Sequence, residues 1–340
     1  MTLLFCDGFD GYGSDNTNFA GRIRSSGWHQ DGFNPLNVTA ATRSNIGFAA
    51  VGGNNQLMSR AFNNSVGVVA GFAWSSPGSL NRQNMVVLRY DNFGGTVGAV
   101  FTLACNPTGA LTANITGNNF SSPVNTVYPS TWHYIEVKVI TVGAPSIEVR
   151  VDGNTVIAVT GISSTPMNLI TIGDGNGYTG SGVFDDMYVL TDDGIGLTDF
   201  LGDCVVHTMI PYTDAGPNAT SQFGGGVTHA SAVNGYPIDE TTAYLYSNNS
   251  GDEELFTISE LPTDIIDVLA VQVNIRAKKD SAGIAKYNIA LKSGSTLALS
   301  PNITPTPSML ERNHIWEADP NGGAWTKVNV QNINIGFKVV

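Results

Sequence analysis

The chain has 340 residues, of which 42% are apolar and only 13% are charged, with a net charge of −12. Its length predicts two domains, since one domain usually holds about 100–200 residues. The apolar content excludes a disordered chain, and the many Gly, Asn, Thr and Ser residues favour strands joined by turns. Residues 1–200 and 201–340 each carry a net charge of −6. Without a basic tail or patch, direct binding of nucleic acid is not expected.

The three cysteines, Cys6, Cys105 and Cys204, are too few for a disulfide framework. We expect three thiols, and the alternative is one bridge across the first domain. The start of the chain, Met1–Asp7, has neither the charged region nor the apolar run of a signal peptide. No apolar stretch approaches the 18 residues of a membrane helix. We therefore expect a chain that is made in a cytoplasm.

Short apolar stretches separated by Gly, Pro and Asn predict strands along the first 200 residues. In chain order, the predicted strands are Leu3–Phe5, Val66–Trp74, Met85–Tyr90, Val97–Leu103, Trp132–Val139, Ile147–Gly153, Thr155–Val159 and Val183–Leu190. In Trp132–Val139 the apolar Ile135, Val137 and Val139 alternate with Tyr134, Glu136 and Lys138, which predicts a strand with one face in a core. The turn Asp152–Asn154 predicts a tight hairpin, and Trp74 is predicted to lie in the core.

This order of elements resembles the concanavalin A-like (laminin-G-like) jelly roll. The features that carry the resemblance are the strand after Trp132, the second alternating strand that ends in Asp152-Gly153, its hairpin partner, the Phe184-Asp185-Asp186-Met187-Tyr188 sequence and the opening Phe5–Tyr12. The resemblance implies a concanavalin A-like domain over residues 1–199. It implies little about function, because this fold includes lectins, hydrolases and structural modules.

The second half has its own strand pattern after the turn-rich segment Thr191–Phe200. Its predicted strands begin at Leu201 and include Val268–Arg276, Lys286–Lys292 and Val328–Val340. Residues 200–340 are therefore predicted to form a second β-sandwich. The predicted fold class is all-β, with two β-sandwich (jelly-roll) domains.

Several short motifs of this half resemble the C-terminal module of structural proteins of tailed bacteriophages. They are Phe200–Asp203, Asp239–Tyr244, Glu254–Phe256, Ala270–Val273 and Asp319–Thr326. The resemblance implies an assembly or anchoring module, with Trp325 packed under a loop.

The sequence lacks the motifs of common enzymes. Glycosidases of the concanavalin A-like fold carry a Glu-x-Asp-x-Glu triplet on one strand, and the nearest spacing here, Glu148 to Asp152, has Arg150 between the carboxylates. There is no Gly-x-Ser-x-Gly elbow, no phosphate-binding loop and no pair of His residues at zinc-ligand spacing. We therefore expect that the chain is not an enzyme, and a polysaccharide hydrolase or lyase is the least favoured function.

Two sets of residues are candidates for small ligands. Asp174, Asn176, Asp185 and Asp186 supply the oxygen atoms that calcium prefers; the alternative is that they are turn and strand-edge residues. No other metal or cofactor is expected. Trp28, which lies among loop-like residues, and Tyr178 are the candidates for contact with a glycan.

The low charge also bears on function. A surface of Asn, Thr, Ser and Gly costs less to desolvate in a subunit contact than a charged one. We therefore expect a virion structural protein on the particle exterior, either a capsid decoration (cement) protein or a tail-associated subunit. Its partners would be other virion proteins and further copies in a homo-oligomer. The alternative is a lectin-like adhesin, a tail fibre or spike, that binds host-surface glycans. No membrane partner is expected.

Overall fold

The structure is a computed structural model. It describes residues 2–12, 23–30, 37–39, 43, 49–52, 57–76, 78–91, 98–173, 182–192, 199–235, 241–280 and 285–340. The chain divides into two compact units, Met1–Val206 and His207–Val340. Both consist mainly of antiparallel strands, which confirms the predicted all-β class. No helix in the described residues is long and apolar enough to cross a membrane.

The first unit is a two-sheet sandwich. In chain order its described strands are β1 (Thr2–Asp7), β2 (His29–Gln30), β3 (Asn37–Thr39), β4 (Ala49–Gly52), β5 (Leu57–Ser65), β6 (Gly67–Ser75), β7 (Gln83–Tyr90), β8 (Gly98–Cys105), β9 (Leu111–Ile115), β10 (Asn118–Ser121), β11 (His133–Ile140), β12 (Ser146–Val151), β13 (Asn154–Thr160), β14 (Met167–Gly173) and β15 (Gly182–Thr191). Sheet A has the order β13-β12-β11-β6-β15-β4-β3, and β1 pairs with β15. Sheet B has the order β10-β9-β8-β7-β14-β5-β2.

The core of the first unit is made of alternate residues on the facing strands. Ile135, Val137 and Val139 of β11 are fully buried in it, as the alternation predicts, and so is Trp74 of β6. Because successive side chains of a strand point to opposite faces, Tyr134, Glu136 and Lys138 lie on the outer face of sheet A.

The hairpin between β12 and β13 is also as predicted. Asp152 and Gly153 both have positive φ, 49° and 78°, which is the backbone of a two-residue turn between antiparallel strands. The Asp152 carboxylate accepts hydrogen bonds from the backbone N–H of Tyr134 and from Nδ1 of His133, and these contacts fix the turn against β11.

The second unit is a smaller β-sandwich. Its described elements are β16 (Pro211–Asn218), β17 (Ser221–Phe223), α1 (His229–Val233), β18 (Tyr244–Tyr246), β19 (Glu253–Ile258), β20 (Val271–Ala277), β21 (Tyr287–Ser293), β22 (Thr296–Leu299), β23 (Leu310–Trp316), α2 (Lys327–Gln331) and β24 (Asn334–Val339). A five-stranded sheet has the order β16-β19-β24-β21-β22, and β17–β18 and β20–β23 form two-stranded sheets. The core contains Val273, Ile289, Leu291 and Trp325. Trp325 is buried as predicted, and its Nε1 donates to the carbonyl oxygen of Trp316 at 2.7 Å.

Two predicted strands of the second half are wrong. No strand begins at Leu201; residues 201–210 are irregular, and the next strand begins at Pro211. The predicted closing strand from Val328 instead starts as helix α2, because the Thr326 side chain accepts a hydrogen bond from the N–H of Asn329 and caps the helix. The closing strand itself begins only at Asn334.

Candidate functional surfaces

Part of the outer face of sheet A, over β11 and β15, is covered by the chain itself. Residues 199–206, which we call the strap, belong to the first unit and cross this face without forming a strand. Three backbone N–H groups of the strap donate to side chains of the sheet. Leu201 donates to the Tyr188 hydroxyl at 3.0 Å, Gly202 to Glu136 Oε1 at 2.8 Å, and Val206 to Asp186 Oδ1 at 2.9 Å.

Two of these acceptors are themselves joined. The Tyr188 hydroxyl donates to Glu136 Oε1 at 2.5 Å, and both residues are almost fully buried. Burial and the adjacent Glu136 carboxylate raise the pKa of Tyr188 far above its ordinary value, so its hydroxyl keeps its proton and donates. Buried polar groups are stable only when they are paired, and here the strap supplies the remaining partners.

Glycines make room for these contacts. A Cβ atom on Gly71 of β6 would lie 2.1 Å from a ring carbon of Tyr188, so the tyrosine side chain lies flat across β6 towards Glu136. A Cβ atom on Gly8 would lie 2.7 Å from the carbonyl oxygen of Val206, so the end of the strap passes directly over the residue that follows β1.

The start of the strap is held by charge and by a ring. Lys138 Nζ lies 3.1 Å from Asp199 Oδ1, and the guanidinium of Arg150 lies 4.0 Å from the centroid of the Phe200 ring. Arg150 also donates to Glu148. The outward-facing Arg150 of β12 therefore packs against the aromatic residue of the strap.

Asp185 and Asp186, two of the predicted calcium ligands, have partners from the protein. Asp185 accepts hydrogen bonds from the backbone N–H of Arg43 and of Asp186, and the Arg43 guanidinium lies 3.5 Å from Asp186 and also pairs with Asp203. Burial raises the pKa of Asp185 to about 6. No group of three His, Cys, Asp or Glu side chains within the described residues is placed to hold a metal ion. Asp174 and Asn176 lie outside the described residues, so the four-residue calcium site stays a prediction.

Trp28 is not on the surface, as a glycan contact would require. It is fully buried, its ring meets the Phe5 ring edge to face at 5.5 Å, and its Nε1 donates to Asp7 Oδ2 at 2.8 Å. Polar residues precede Trp28 in the sequence, but the carboxylate that pairs with its indole comes from β1. Tyr178, the second predicted contact, lies outside the described residues.

Among the described residues, the second unit carries most of the exposed large apolar side chains. Of the fifteen large apolar side chains that are exposed in the described residues, eleven belong to this smaller unit. They are Tyr212, Phe223, Val227, Tyr244, Tyr246, Ile266, Leu269, Leu297, Leu299, Val328 and Val340. Exposure of large apolar side chains to water is unfavourable when they form one continuous surface, and such surfaces commonly contact a partner.

Three of these side chains are neighbours, with Tyr244 between the other two. Phe223 of β17 and Tyr244 of β18 are paired across the ribbon and stack with their centroids 4.9 Å apart, and Tyr246 lies 6.2 Å from Tyr244. The three rings are between 38% and 51% exposed. We call Phe223, Tyr244 and Tyr246 the aromatic cluster. Aromatic rings with a polar tip are frequent at protein contacts, because they bury much area with few rotatable bonds.

The comparisons with known proteins give only distant likenesses. No protein-family model and no curated protein matches the chain. Among solved structures, it is similar to an endo-β-1,4-glucuronan lyase from the fungus Trichoderma reesei, with a TM-score of 0.42 and 13% identity over 56% of this chain and 96% of the lyase. It is also similar to an alginate lyase (0.37, 8%, 55% of this chain and 96% of that chain) and to the globular domain of T. cruzi calreticulin (0.38, 14%, 56% and 89%).

The expectation that the chain is not an enzyme is wrong, because the sequence gives no basis for excluding one. The similar structures include two enzymes, an endo-β-1,4-glucuronan lyase and an alginate lyase. The missing carboxylate triplet belongs to glycoside hydrolysis, and the other missing motifs belong to serine hydrolases, phosphate-binding proteins and zinc enzymes. Their absence gives no ground for excluding an enzyme of another class.

Sequence reasoning missed the main residues of both surfaces. The sequence predicts that the strap from Leu201 onward begins a strand of the second half, and that its acceptors Glu136 and Tyr188 are ordinary strand positions. Glu136 gives no local signal, because a charged residue of an alternating strand that is paired in register with Arg150 is expected to face solvent. The aromatic cluster gives none either, since its rings come from two short segments about 20 residues apart.

Proposed function

We propose that the chain is a structural subunit of a tailed-bacteriophage particle and that its second unit makes the contacts that hold it there. The observation that carries the proposal is the concentration of exposed apolar side chains in residues 207–340. Four of the five motifs that resemble a phage structural module lie in the same part of the chain, and the fifth, Phe200–Asp203, lies in the strap of the first unit. Burial of this neutral, apolar surface against a partner would supply the binding free energy, and repeated copies would make symmetric contacts.

An exterior position is part of the proposal, either as a capsid decoration (cement) protein or as a tail-associated subunit. Within the described residues, the first unit has four exposed large apolar side chains against eleven in the second. The polar side chains of Glu136 and Tyr188 on its sheet A bind the strap. We propose that the second unit attaches to the particle and that the first unit is displayed.

The first experiment asks where the chain is found. Mass spectrometry of purified particles should detect it, and labelled antibody should place it on the outside. If it is a decoration protein, particles stripped of it should lose heat or osmotic resistance and adsorb to cells normally. Normal resistance with lost adsorption would place it on the tail. Its absence from washed particles would contradict both positions.

The aromatic cluster favours a second candidate, a glycan-binding adhesin. Exposed rings beside hydroxyl and amide groups suit the apolar faces and hydroxyls of sugars. A glycan array should then show binding that Tyr246→Ala removes and Tyr128→Ala, an exposed tyrosine of the first unit, retains. Equal binding by both variants, or no binding on a broad array, would count against this candidate.

A further inference from the structure

Two of the three cysteines lie where the strap crosses the edge of sheet A. Cys6 is in β1 and is paired in register with Tyr188 of β15, so both side chains point to the outer face. Cys204 is in the strap, between Leu201, which donates to the Tyr188 hydroxyl, and Val206, whose carbonyl oxygen lies over Gly8. The strap thus passes from Tyr188 to the end of β1, and Cys204 lies on that path.

Cys204 also lies close enough to Cys6 to affect its ionisation. The neighbouring Cys204 is among the causes that raise the pKa of Cys6 to about 12, after burial and Asp7. Both residues are only partly buried, and all three cysteines are thiols. Arg43 donates from its guanidinium to the carbonyl oxygen of Cys204 at 3.1 Å and fixes the backbone at this point.

Cys105 provides a contrast within the same unit. It ends β8 in sheet B, is fully buried and belongs to the core between the sheets. A whole sheet separates it from the outer face of sheet A, so it has no route to Cys6 or Cys204 in the folded protein.

We propose that Cys6 and Cys204 form a thiol pair that a small-molecule disulfide oxidises to an intramolecular disulfide, fastening the strap to β1. In the first step, the thiolate of one cysteine attacks the small disulfide, and one reduced small thiol leaves. The thiolate of the second cysteine then displaces the other small thiol and closes the protein disulfide. Two protein thiols are oxidised, one small disulfide is reduced to two thiols, and the two protons pass to the released thiols. This inference does not depend on the proposed function.

Formation of the disulfide between Cys6 and Cys204 should be slow at neutral pH. Burial raises the pKa of Cys204, like that of Cys6, to about 12, and only the thiolate attacks a disulfide. The rate of cross-linking should therefore increase with pH over the whole range in which the protein stays folded.

The test uses the full chain treated with oxidised glutathione at mildly alkaline pH. Thiol titration should fall from three thiols to one, and peptide mass mapping without reduction should find Cys6 joined to Cys204. Cys105→Ser should form the same link and leave no thiol. Cys6→Ser and Cys204→Ala should each abolish it, so that the result does not depend on the folding of one variant. Separate glutathione adducts on Cys6 and Cys204 without the link, or reaction at Cys105 as fast as at the other two, would overturn the proposal.

Discussion

The Tyr188 hydroxyl lies 2.5 Å from Glu136 Oε1 and donates a hydrogen bond to it, although the two residues are far apart in the chain. Each also accepts a backbone N–H of the strap, from Leu201 and from Gly202. The pair therefore links two central strands of sheet A to the segment that ends the first unit. Since both side chains are buried, each hydrogen bond that is lost leaves a buried polar group without its partner.

Tyr188→Phe should release the strap. The variant keeps the ring over Gly71 but removes the acceptor of the Leu201 N–H and the donor to Glu136. We expect the free energy of unfolding of the first unit to fall by about 1–3 kcal/mol, as measured by denaturant titration. The backbone amides of Leu201 and Gly202 should also exchange faster with solvent. Tyr128→Phe, at an exposed tyrosine, should change neither quantity; an equal effect of both variants would contradict the role of this hydrogen bond.

Gly71→Ala should force the Tyr188 ring off β6. Its Cβ would lie 2.1 Å from a Tyr188 ring carbon, and an added methyl in a packed site usually costs about 1–3 kcal/mol. Gly98→Ala is the matched control, because Gly98 also lies in a strand of this unit and a Cβ there would meet no atom within 4 Å. If both variants have the unfolding midpoint of the parent, Tyr188 does not lie across β6 in solution.

The stability of the first unit should depend on the protonation of Asp185. Burial raises its pKa to about 6, whereas the pKa of an aspartate in an unfolded chain is about 3.9. At a pH between these two pKa values, the Asp185 carboxyl is protonated in the folded protein and ionised in the unfolded chain. The contribution of Asp185 to the free energy of unfolding is therefore complete below about pH 4 and falls by about 3 kcal/mol as the pH rises to about 6.

Asp185→Asn isolates this effect from that of the other carboxylates. Between pH 4 and pH 7 the unfolding free energy of the parent should fall by about 3 kcal/mol relative to that of the variant. Urea titrations at several pH values measure it. A difference that stays constant with pH would mean that Asp185 titrates normally, with the Arg43 guanidinium near Asp186 compensating for burial.

Trp28→Phe should weaken the core of the first unit. The variant loses the hydrogen bond to Asp7, which also accepts from the Tyr12 hydroxyl at 2.7 Å, and leaves space beside Phe5. We expect the unfolding free energy to fall by about 2–4 kcal/mol. Trp132→Phe, at a partly exposed tryptophan of the same unit, should cost much less. Equal costs would indicate that Trp28 is not part of the core.

The local features of the fold could be read from the sequence. The period of two in β11 identifies its core face, and Asp152 and Gly153 mark their turn, because both signals come from adjacent residues. The strap could not be found in this way. The Gly202 N–H donates to Glu136, which is 66 residues away, and nothing near residue 202 indicates a distant side-chain acceptor. The sequence predicts Trp28 on the surface for the same reason, because the carboxylate that accepts its indole N–H belongs to Asp7 of another element. Helix α2 has five residues, which is too short for a helical period.

The most direct test of the proposed function compares two single variants in assembled particles. Tyr246→Asp places a charge in the aromatic cluster of the second unit, and Val124→Asp places one on a side chain of the first unit that is more exposed still. After circular dichroism confirms that both proteins fold, the amount of each is measured by mass spectrometry of purified particles. We predict that Tyr246→Asp is depleted at least about tenfold, the equivalent of about 1.4 kcal/mol of lost binding, while Val124→Asp is incorporated like the parent. Full incorporation of Tyr246→Asp, or equal loss of both variants, would contradict attachment through this surface of the second unit.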